Sequence, residues 1–464
     1  MSDEATLDVI ADVLRGYPQA PRIHVALSGG LDSHCLLHWL SHSPFRDRLS
    51  ALHVHHGLQP AADHWAEICA GQCAARCVPF ELLKLHLAPR PGESVEAVAR
   101  DARYHALGDR LGPGELLLTA HHRDDQAETV LLQLFRGCGV PGIAGMAPDQ
   151  PLGPGRHLRP MLDVDRATLT DYARRAGLDW VEDPMNQDRH LSRAYLRHEV
   201  LPAVRAHWPG FTRALARSAH HAAEATDLLG QLARADLERM GWTPAHGTAL
   251  DIQRLSELNL SRQRNVLRFW LGACGVRPPS QSRLQRVLDE VMQARPGRQP
   301  RVAWSNVSVW RHRGQLVLVR ALPPVDPGFK ADLELDQVLE LQDGSRVWLE
   351  SRTDGLLDAG RLTEHNLCVA YRRAGVRLRT PLGAGSSSVS RLLQSAGVPV
   401  WLRSRIPILY QGEQVVAVGE RWIDRRYMSR PGRPAVSFRW QNESLFDTLL
   451  ARIQSGRSDT DRTT

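Results

Sequence analysis

The feature that most constrains the fold of this chain is a glycine- and serine-rich turn between a predicted strand and a predicted helix. Apolar residues 23–27 predict a buried strand, the turn Ser28–Ser33 reads SGGLDS, and the apolar spacing of 36–40 predicts a helix. In such a turn several backbone N–H groups point to one place at the positive end of a helix dipole, where a phosphate binds. The turn contains no lysine, which distinguishes it from the Walker-type loop that grips β- and γ-phosphates. We therefore expect a phosphate site here, with an ordinary strand-to-helix turn as the alternative.

Strand and helix patterns alternate from residue 21 to about residue 185. The predicted strands are 22–27, 49–55, 80–85 and 116–120, and the predicted helices are 32–43, 61–77, 94–111 and 124–136. This alternation predicts an α/β fold with a doubly wound parallel sheet, in which ligands bind at the carboxyl ends of the strands. The phosphate turn, residues 53–57 and residues 121–125 all follow predicted strands. We expect these three segments to converge on one cleft.

Three acidic residues follow a pair of histidines at the start of the predicted helix 124–136. They are Asp124, Asp125 and Glu128, in the sequence HHRDDQAET at 121–129. Helix capping and the helix dipole explain one acid in a first turn, but three indicate a function. Clustered carboxylates could hold Mg²⁺ beside phosphates, or bind an ammonium group and accept its proton. The residues alone leave both roles open.

Histidines and arginines also occur near the predicted cleft. Alternation along a strand puts His53 and His55 on one face and sends His56 away, and no cysteine or acid completes a metal set in the nearby sequence. A nucleoside-contacting strand end is therefore favoured over a zinc site. Arg100 and Arg103 lie near each other on the predicted helix 94–111, opposite its apolar face. A phosphate-binding pair and a solvated face fit that pattern equally well.

Positive charge is concentrated near the C-terminus. The net charge is +7, whereas residues 371–433 hold twelve arginines against three acids, an excess of nine. Arginine can bind phosphate with two hydrogen bonds and can stack on bases, so this segment predicts a polyanionic partner. A solvated basic surface is the alternative.

The remaining composition bounds the class of protein. An acidic N-terminus and the lack of a long apolar run predict a cytoplasmic protein without a membrane span. Seven cysteines without a CxxC pair predict reduced thiols. A chain of 464 residues is too long for one ordinary core.

We predict three domains and a tail. Residues 1–220 form the catalytic α/β domain with a helical extension, and 221–325 form a small α+β domain of helices and a hairpin. The pattern predicts long helices at 189–207 and 211–240, helices at 251–274 and 280–295, and hairpin strands at 301–310 and 315–320. Residues 333–441 form a C-terminal α+β domain with one helix near 387–396. Residues 455–464 are predicted to be a disordered tail.

Taken together, these motifs resemble those of the tRNA(Ile)-lysidine synthetases, a family of PP-loop ATP pyrophosphatases. SGGLDS alone is typical of the superfamily, and the narrower resemblance rests on HHRDDQAETVLLQLFRG at 121–137 and GVPVWLR at 397–403. The resemblance extends from about residue 22 to residue 425. Two departures, Met185 and Ala194, each replace a polar residue that the family usually carries.

The resemblance implies an ATP-dependent ligation. ATP would adenylate the carbonyl oxygen on carbon 2 of the wobble cytidine in a CAU-anticodon tRNA(Ile), with release of pyrophosphate. Free lysine would then displace AMP through its ε-amine. An acidic pocket would bind the lysine and accept its proton, and arginine would neutralise phosphate charge.

The implied site residues fall into three groups. The catalytic residues are Asp32, which also helps to place Mg²⁺, together with Arg100, Arg103, Asp124, Asp125 and Glu128. The ATP-binding residues are Ser28, Gly29, Gly30, Leu31, Asp32, Ser33, His53 and His121. The tRNA-binding residues are Arg193, Arg197, Arg372, Arg373, Arg377, Arg391, Arg403 and Arg405.

Three other functional classes are weaker. PP-loop tRNA thiolases need catalytic cysteines or a cluster-binding CxxC, and amide-forming relatives typically carry a glutaminase unit; neither pattern occurs in this sequence. A non-catalytic RNA-binding relict would be expected to lose the serines of the turn or the acids at 124–128, and all of them are present.

Overall fold

The computed structural model describes residues 3–57, 62–85, 87, 95–181, 188–243, 247–295, 298–362, 366–380 and 385–441. The chain divides into two compact units, residues 1–231 and 232–464. The predicted tail at 455–464 and the departure at Met185 lie outside the described residues. No described helix is long and apolar enough to cross a membrane.

The first unit is built on a six-stranded sheet. Its strands are β1 (Ile23–Ala26), β2 (Leu49–His55), β3 (Phe80–Lys84), β4 (Leu116–Leu118), β5 (Asp149–Leu152) and β6 (Gly155–Leu158), in the spatial order β3-β2-β1-β4-β6-β5. All neighbours are parallel except the β5–β6 hairpin, which forms one edge. The predicted parallel sheet and its first four strands are confirmed, whereas the sequence analysis did not predict the hairpin.

Helices cover this sheet. They are α1 (Asp3–Arg15), α2 (Leu31–Ser41), α3 (Ala62–Ala75), α4 (Val95–Arg110), α5 (Arg123–Phe135), α6 (Val140–Ile143) and α7 (Arg166–Arg175). The central strand β1 is buried because Ile23 and Val25 pack in an apolar core with Leu36 and Leu40 of α2. Because α2 and α5 begin just beyond the carboxyl ends of β1 and β4, both helix N-termini lie at the same edge of the sheet.

The predicted helix at 189–207 is three segments. They are α8 (Ser192–Tyr195), a π-helical turn Leu196–Val200 and α9 (Leu201–His207). Pro202 has no backbone N–H to donate, which explains why the regular helical hydrogen bonds are interrupted before it. The next helix, α10 (Phe211–Arg239), is continuous as predicted.

The second unit contains two hydrophobic cores. The first packs α11 (Ile252–Ser256), α12 (Leu260–Ala273), α13 (Gln281–Arg286) and a π-helical segment Val287–Met292 against a four-stranded sheet of β7 (Ala249–Asp251), β8 (Arg301–Trp304), β9 (Val307–His312) and β10 (Gln315–Arg320). The predicted helix 251–274 is two helices, because the Asn259 side chain caps a new start at α12. The predicted strand 301–310 is also two strands, separated at Ser305, where φ is +46°.

The second core lies among antiparallel strands nearer the C-terminus. They are β11 (Lys330–Asp332), β12 (Leu339–Glu340), β13 (Arg346–Ser351), β14 (Leu357–Asp358), β15 (Leu367–Tyr371), β16 (Arg377–Arg379), β17 (Ser386–Ser388), β18 (Pro407–Gln411), β19 (Gln414–Val418), β20 (Trp422–Ile423) and β21 (Ala435–Gln441). The helix predicted near 387–396 is α14 (Val389–Ser395), followed by the short α15 (Val400–Arg403). The predicted α+β character is confirmed.

Candidate active site

A cavity of about 350 Å³ opens at the carboxyl ends of β1, β2 and β4. Its lining contains seven of the predicted site residues: Ser28, Asp32, Ser33, His53, Arg103, His121 and Asp125. Leu52, Val54 and Leu107 supply apolar surface. A cavity of this size, with apolar walls and a few converging polar groups, is typical of a small-molecule site. The three predicted segments therefore do converge.

The phosphate turn is held open by its own serines. The Ser28 amide donates to Ser33 Oγ at 3.2 Å, and the Ser33 hydroxyl donates to the Gly30 carbonyl at 3.0 Å. Gly29 has a φ of +88°, which favours glycine, and its carbonyl accepts from the Val181 amide at 2.9 Å. The N-cap of α2 is Gly30, which has no side chain to cap the helix. The first amides of α2 are therefore available to an anion.

Asp32 lies beside this helix N-terminus and faces His122. Its Oδ2 is 3.6 Å from His122 Nε2, while its Oδ1 is buried without a hydrogen-bond partner among the described residues. Burial would raise the pKa of Asp32, but the hydrogen bond and charge of His122, with Arg166 and Arg197, outweigh burial and lower this pKa. Asp32 is therefore a carboxylate at neutral pH, with one oxygen free for a cation or a donor group.

His122 links Asp32 to Asp125, the second acid of the sequence HHRDDQAET. In its neutral form His122 caps α5, since its Nδ1 then accepts from the Asp125 amide, and the Asp125 carboxylate accepts from the His122 amide. Its Nε2 lies 3.4 Å from Asp125 Oδ2. Burial alone would lower the pKa of His122, but Asp125, Asp32 and Asp124 together raise it.

Glu128 is already neutralised by two arginines. Its side chain is 1% exposed and accepts from Arg193 Nε at 2.9 Å and from Arg197 Nε at 2.7 Å. Arg197 also reaches Asp125 at 3.4 Å. In this structure Arg193 and Arg197, predicted to contact tRNA, bind the acids of α5. The predicted pocket of three free acids is therefore a balanced cluster, in which Asp125 alone of those three lines the cavity.

Asp124 has a different environment from its neighbours. Its carboxylate accepts from the Arg166 amide at the start of α7 at 3.1 Å and pairs with Arg205 of α9. These contacts tie α5 to two other helices. Asp124 does not belong to the cavity lining, so its position favours a structural role over the predicted lysine-binding role.

The remaining predicted residues surround the cavity unevenly. His53 donates from Nδ1 to the Leu27 carbonyl at 2.8 Å, and burial lowers its pKa, so the ring is neutral. The Arg103 guanidinium lies 5.2 Å from the Tyr104 ring centroid and lines the cavity. Arg100 also lies over Tyr104, at 5.4 Å, but is exposed outside the lining.

One expectation for the histidines at 53–56 needs correction. His56 lines the cavity with His53 and His55, because residues from both faces of the end of β2 line it, as Leu52 and Val54 also do. Asp63 of α3 lies 3.3 Å from His55 Nε2, as a single contact. No cluster of three or more metal-ligating side chains occurs among the described residues.

Sequence reasoning missed several lining residues. Trp65, Tyr104 and Thr119 line the cavity but are not among the predicted site residues. Tyr104 lies one residue beyond Arg103 in α4, which is the one local signal that could have pointed to it. Trp65 and Thr119 are brought in by the tertiary fold.

The predicted tRNA-binding arginines near the C-terminus differ in exposure. Arg373, Arg377 and Arg391 are exposed, whereas Arg372 and Arg403 are partly buried. Arg405 lies inside the second core, 8% exposed, where it pairs with Asp343 at 3.8 Å and donates to the Pro323 carbonyl. This position does not fit a phosphate contact at Arg405.

Comparison with known proteins extends over most of the chain. Family models match residues 4–204 (PP-loop domain), 250–317 (TilS substrate binding domain) and 367–440 (TilS substrate C-terminal domain). A tRNA(Ile)-lysidine synthase of Alkalilimnicola ehrlichii is 42% identical over 411 residues, which are 88% of this chain and 91% of the relative. This chain belongs to the tRNA(Ile)-lysidine synthase family. The member from Pseudomonas aeruginosa is 40% identical over 85% of this chain and 88% of its own length. The member from Coxiella burnetii is 37% identical over 85% of this chain and 87% of its own length.

Family membership narrows the interpretation of the cavity. The PP-loop match includes the whole site, from the SGGLDS turn through α5 to Arg197. The chain is therefore an ATP-using enzyme, and the uncapped N-terminus of α2 lies beside the cavity at the end of β1. The individual residue roles stay predictions.

Proposed function

We propose that this chain joins free lysine to carbon 2 of the wobble cytidine of a CAU-anticodon tRNA(Ile), at the expense of ATP, and so forms lysidine. The observation that carries the proposal is the uncapped N-terminus of α2, which opens into the same cavity as the carboxylates of Asp32 and Asp125. Family membership supplies the substrate class. We propose the cytoplasm as its location, where ATP and tRNA are both present.

In the first step, the carbonyl oxygen on carbon 2 attacks the α-phosphorus of ATP, and pyrophosphate leaves. The turn Ser28–Ser33 binds phosphate oxygens through its amides, and Arg103 offsets the negative charge that develops on them. Because the turn carries no lysine directed at a γ-phosphate, its chemistry suits cleavage between the α- and β-phosphates.

In the second step, the lysine ε-amine attacks carbon 2, and AMP leaves. Free lysine is mostly protonated at neutral pH, so the amine must lose a proton before it attacks. Asp125 is the acid of α5 that lines the cavity, and we assign it the ammonium contact and the acceptance of this proton. Glu128 is paired with Arg193 and Arg197, so we do not assign it the proton transfer.

The residues present fit a magnesium ion. The unpartnered Oδ1 of Asp32 is a buried hard oxygen beside the phosphate turn. Mg²⁺ is usually held by one or two carboxylates together with substrate phosphates and water, so Asp32 suffices as the main protein ligand. The ion would neutralise phosphate charge when bound.

A direct assay tests the proposal. Purified chain is incubated with ATP, radiolabelled lysine and a tRNA(Ile) transcript bearing the CAU anticodon, and both lysine incorporation and the nucleotide products are measured. We expect stable incorporation with equal amounts of AMP and pyrophosphate. A transcript with uridine at the wobble position serves as the control and should incorporate none.

The outcomes separate the alternatives. ATP cleavage to ADP would contradict the assignment of the turn, and AMP formation without lysine incorporation would contradict lysine as the nucleophile. Asp32→Asn should reduce the rate of pyrophosphate release, whereas Asp125→Asn should raise KM for lysine with a smaller effect on KM for ATP.

A further inference from the structure

A chain of hydrogen bonds runs from the β5–β6 hairpin to the cavity. Gln150 Nε2 lies 3.3 Å from His157 Nδ1, and His157 Nε2 lies 2.8 Å from Thr119 Oγ1. Thr119 Oγ1 in turn lies 2.7 Å from His121 Nδ1. Gln150 and His157 are direct cross-strand partners, so the hairpin that the sequence analysis did not predict supplies half of this chain.

All the hydrogen bonds from Gln150 to His121 can be donated in the same direction, towards His121. The Gln150 amide nitrogen can only donate, so His157 Nδ1 accepts and the single hydrogen of a neutral ring lies on Nε2. His157 Nε2 then donates to Thr119 Oγ1, which leaves the Thr119 hydroxyl hydrogen for His121 Nδ1. His121 therefore accepts at Nδ1 and carries its hydrogen on Nε2, the ring nitrogen left for a ligand in the cavity.

Burial and charge keep both rings neutral, which this pattern requires. His157 is fully buried, and burial together with Arg159, Arg103 and Arg100 lowers its pKa to about 3. Burial, followed by Arg159, Arg193 and Arg103, lowers the pKa of His121 well below its ordinary value. A neutral imidazole can still donate one strong hydrogen bond from its N–H group.

We propose that Gln150, His157 and Thr119 are positioning residues that hold His121 in the tautomer with hydrogen on Nε2, so that His121 donates a hydrogen bond into the cavity. Resting on the proposed function, the acceptor is a phosphate oxygen of ATP that gains negative charge as the bond to the leaving pyrophosphate breaks. A donor that strengthens its bond as charge develops lowers the barrier of that step.

Two pairs of variants test the chain. Thr119→Val keeps the size and branching of the side chain but removes the hydroxyl, whereas Thr119→Ser keeps the hydroxyl. Gln150→Glu replaces the donor beside His157 Nδ1 with an acceptor, and Gln150→Leu removes both functions. An acceptor there places the hydrogen of His157 on Nδ1, which reverses every bond as far as His121.

The primary measurement is the tautomer of His121. Long-range ¹H–¹⁵N correlation spectra of the full chain labelled with ¹⁵N-histidine distinguish Nδ1–H from Nε2–H rings, and His121→Gln identifies the signal. We expect hydrogen on Nε2 in the unaltered chain and in Thr119→Ser, hydrogen on Nδ1 in Gln150→Glu, and an unrestrained mixture in Thr119→Val. Hydrogen on Nδ1 in the unaltered chain, or no change in Gln150→Glu, would overturn the proposal.

Kinetics give a second readout that a merely structural role would not produce. Thr119→Val and Gln150→Glu should lower kcat for adenylation roughly 10-fold to 100-fold, with KM for ATP nearly unchanged, and Thr119→Ser should restore most of the rate. An equal loss of kcat in Thr119→Ser and Thr119→Val would contradict a role for the Thr119 hydroxyl in these hydrogen bonds. If the tautomers are as expected but no lysidine forms, the proposed function fails and the positioning chain stands.

Discussion

At the scale of single residues, the site is governed by which charges are already paired. Glu128 is buried and held by Arg193 and Arg197, whereas Asp125 lines the cavity and Asp32 keeps a free oxygen. A buried carboxylate without partners is costly, so α5 can carry Glu128 inward only because α8 and the following π-helical turn supply two guanidinium groups. The sequence spacing of the acids could not show this difference.

Breaking the Glu128 cluster should destabilise the first unit. Glu128→Gln leaves two guanidinium groups facing a neutral amide, and we expect the free energy of unfolding to fall by about 2 kcal/mol, less than for a fully buried pair because both arginines are partly exposed. Urea unfolding measures the change. Glu67→Gln, at an exposed position of α3, is the control and should cost less than about 0.5 kcal/mol. Equal losses in the two variants would contradict the pairing.

The His122 contacts predict a pH-dependent stability. His122 has a raised pKa in the folded chain, so its charged form contributes stability below the ordinary pKa of about 6.5, and this contribution is lost as pH rises through the folded value. Asn can still cap α5 but cannot titrate, so the destabilisation caused by His122→Asn should be larger at about pH 5.5 than at about pH 9.

Chemical denaturation at the two pH values measures this difference. Asp32, whose pKa is lowered, remains ionised across that range and adds nothing to the pH dependence. His220→Asn, an exposed position on α10, should change the free energy of unfolding by less than about 0.5 kcal/mol at either pH. A destabilisation by His122→Asn that does not vary with pH would show that the charge of His122 contributes nothing.

At the scale of elements, the strand β1, the turn and the helix α2 act as one unit. The sequence predicted all three because each has a local cause: apolar residues for the strand, glycines for the turn and apolar spacing for the helix. At Gly29 the turn requires glycine, since φ is +88°, and the Gly29 carbonyl accepts a hydrogen bond from the Val181 amide.

A substitution at Gly29 should therefore affect both stability and nucleotide binding. Gly29→Ala places a Cβ on a residue with positive φ, and we expect a loss of about 1–2 kcal/mol with a higher KM for ATP, because the amides of the turn no longer converge. Thermal unfolding and pyrophosphate-release kinetics measure the two effects.

Gly71→Ala is a matched control on α3. A Cβ there meets nothing within 4 Å, and alanine favours a helix, so stability should stay the same or rise by about 0.5–1 kcal/mol. If both variants keep the wild-type KM for ATP, the turn does not bind the nucleotide.

Other elements show why boundaries were harder to predict than element types. The sequence predicted one helix over 251–274, but Asn259 begins a second helix, and one strand over 301–310, but Ser305 turns the chain. Asn and Ser compete with regular structure through local hydrogen bonds, a weaker signal than glycine or proline. The β5–β6 hairpin was missed because Pro151 and Gly155 obscure its alternation.

At the scale of the whole molecule, charge is distributed unevenly along the chain. Residues 371–433 carry an excess of nine positive charges, more than the entire net charge of +7. Most of the predicted arginines in this segment reach the surface at least partly, whereas Arg405 supports the core. The composition therefore predicts a polyanion-binding segment, but burial decides which arginines are free to contact phosphate.

The exposed arginines predict a salt-dependent affinity for tRNA. A variant with Arg373, Arg377 and Arg391 changed to Gln should lower the slope of log affinity against log salt concentration by about one for each phosphate that is no longer neutralised. Filter binding at several salt concentrations measures the slope. A control with Arg15, Arg346 and Arg352 changed to Gln removes the same charge outside this segment and should alter the slope less. Equal slopes of log affinity against log salt concentration in the two variants would show that overall charge, and not this segment, determines tRNA binding.

The sequence by itself determined the first four strands of the first unit and the helices that follow them, the phosphate turn, and the motifs that indicate the family. These features depend on residues close together in the chain, where periodicity and turn chemistry act directly. Only the tertiary structure decided that Glu128 is neutralised, that Asp124 ties helices together, that Arg405 is buried, and that Gln150 reaches His121 through two intermediates. Most of those contacts join residues tens of positions apart, and they exist only because packing brings separate elements of the fold together.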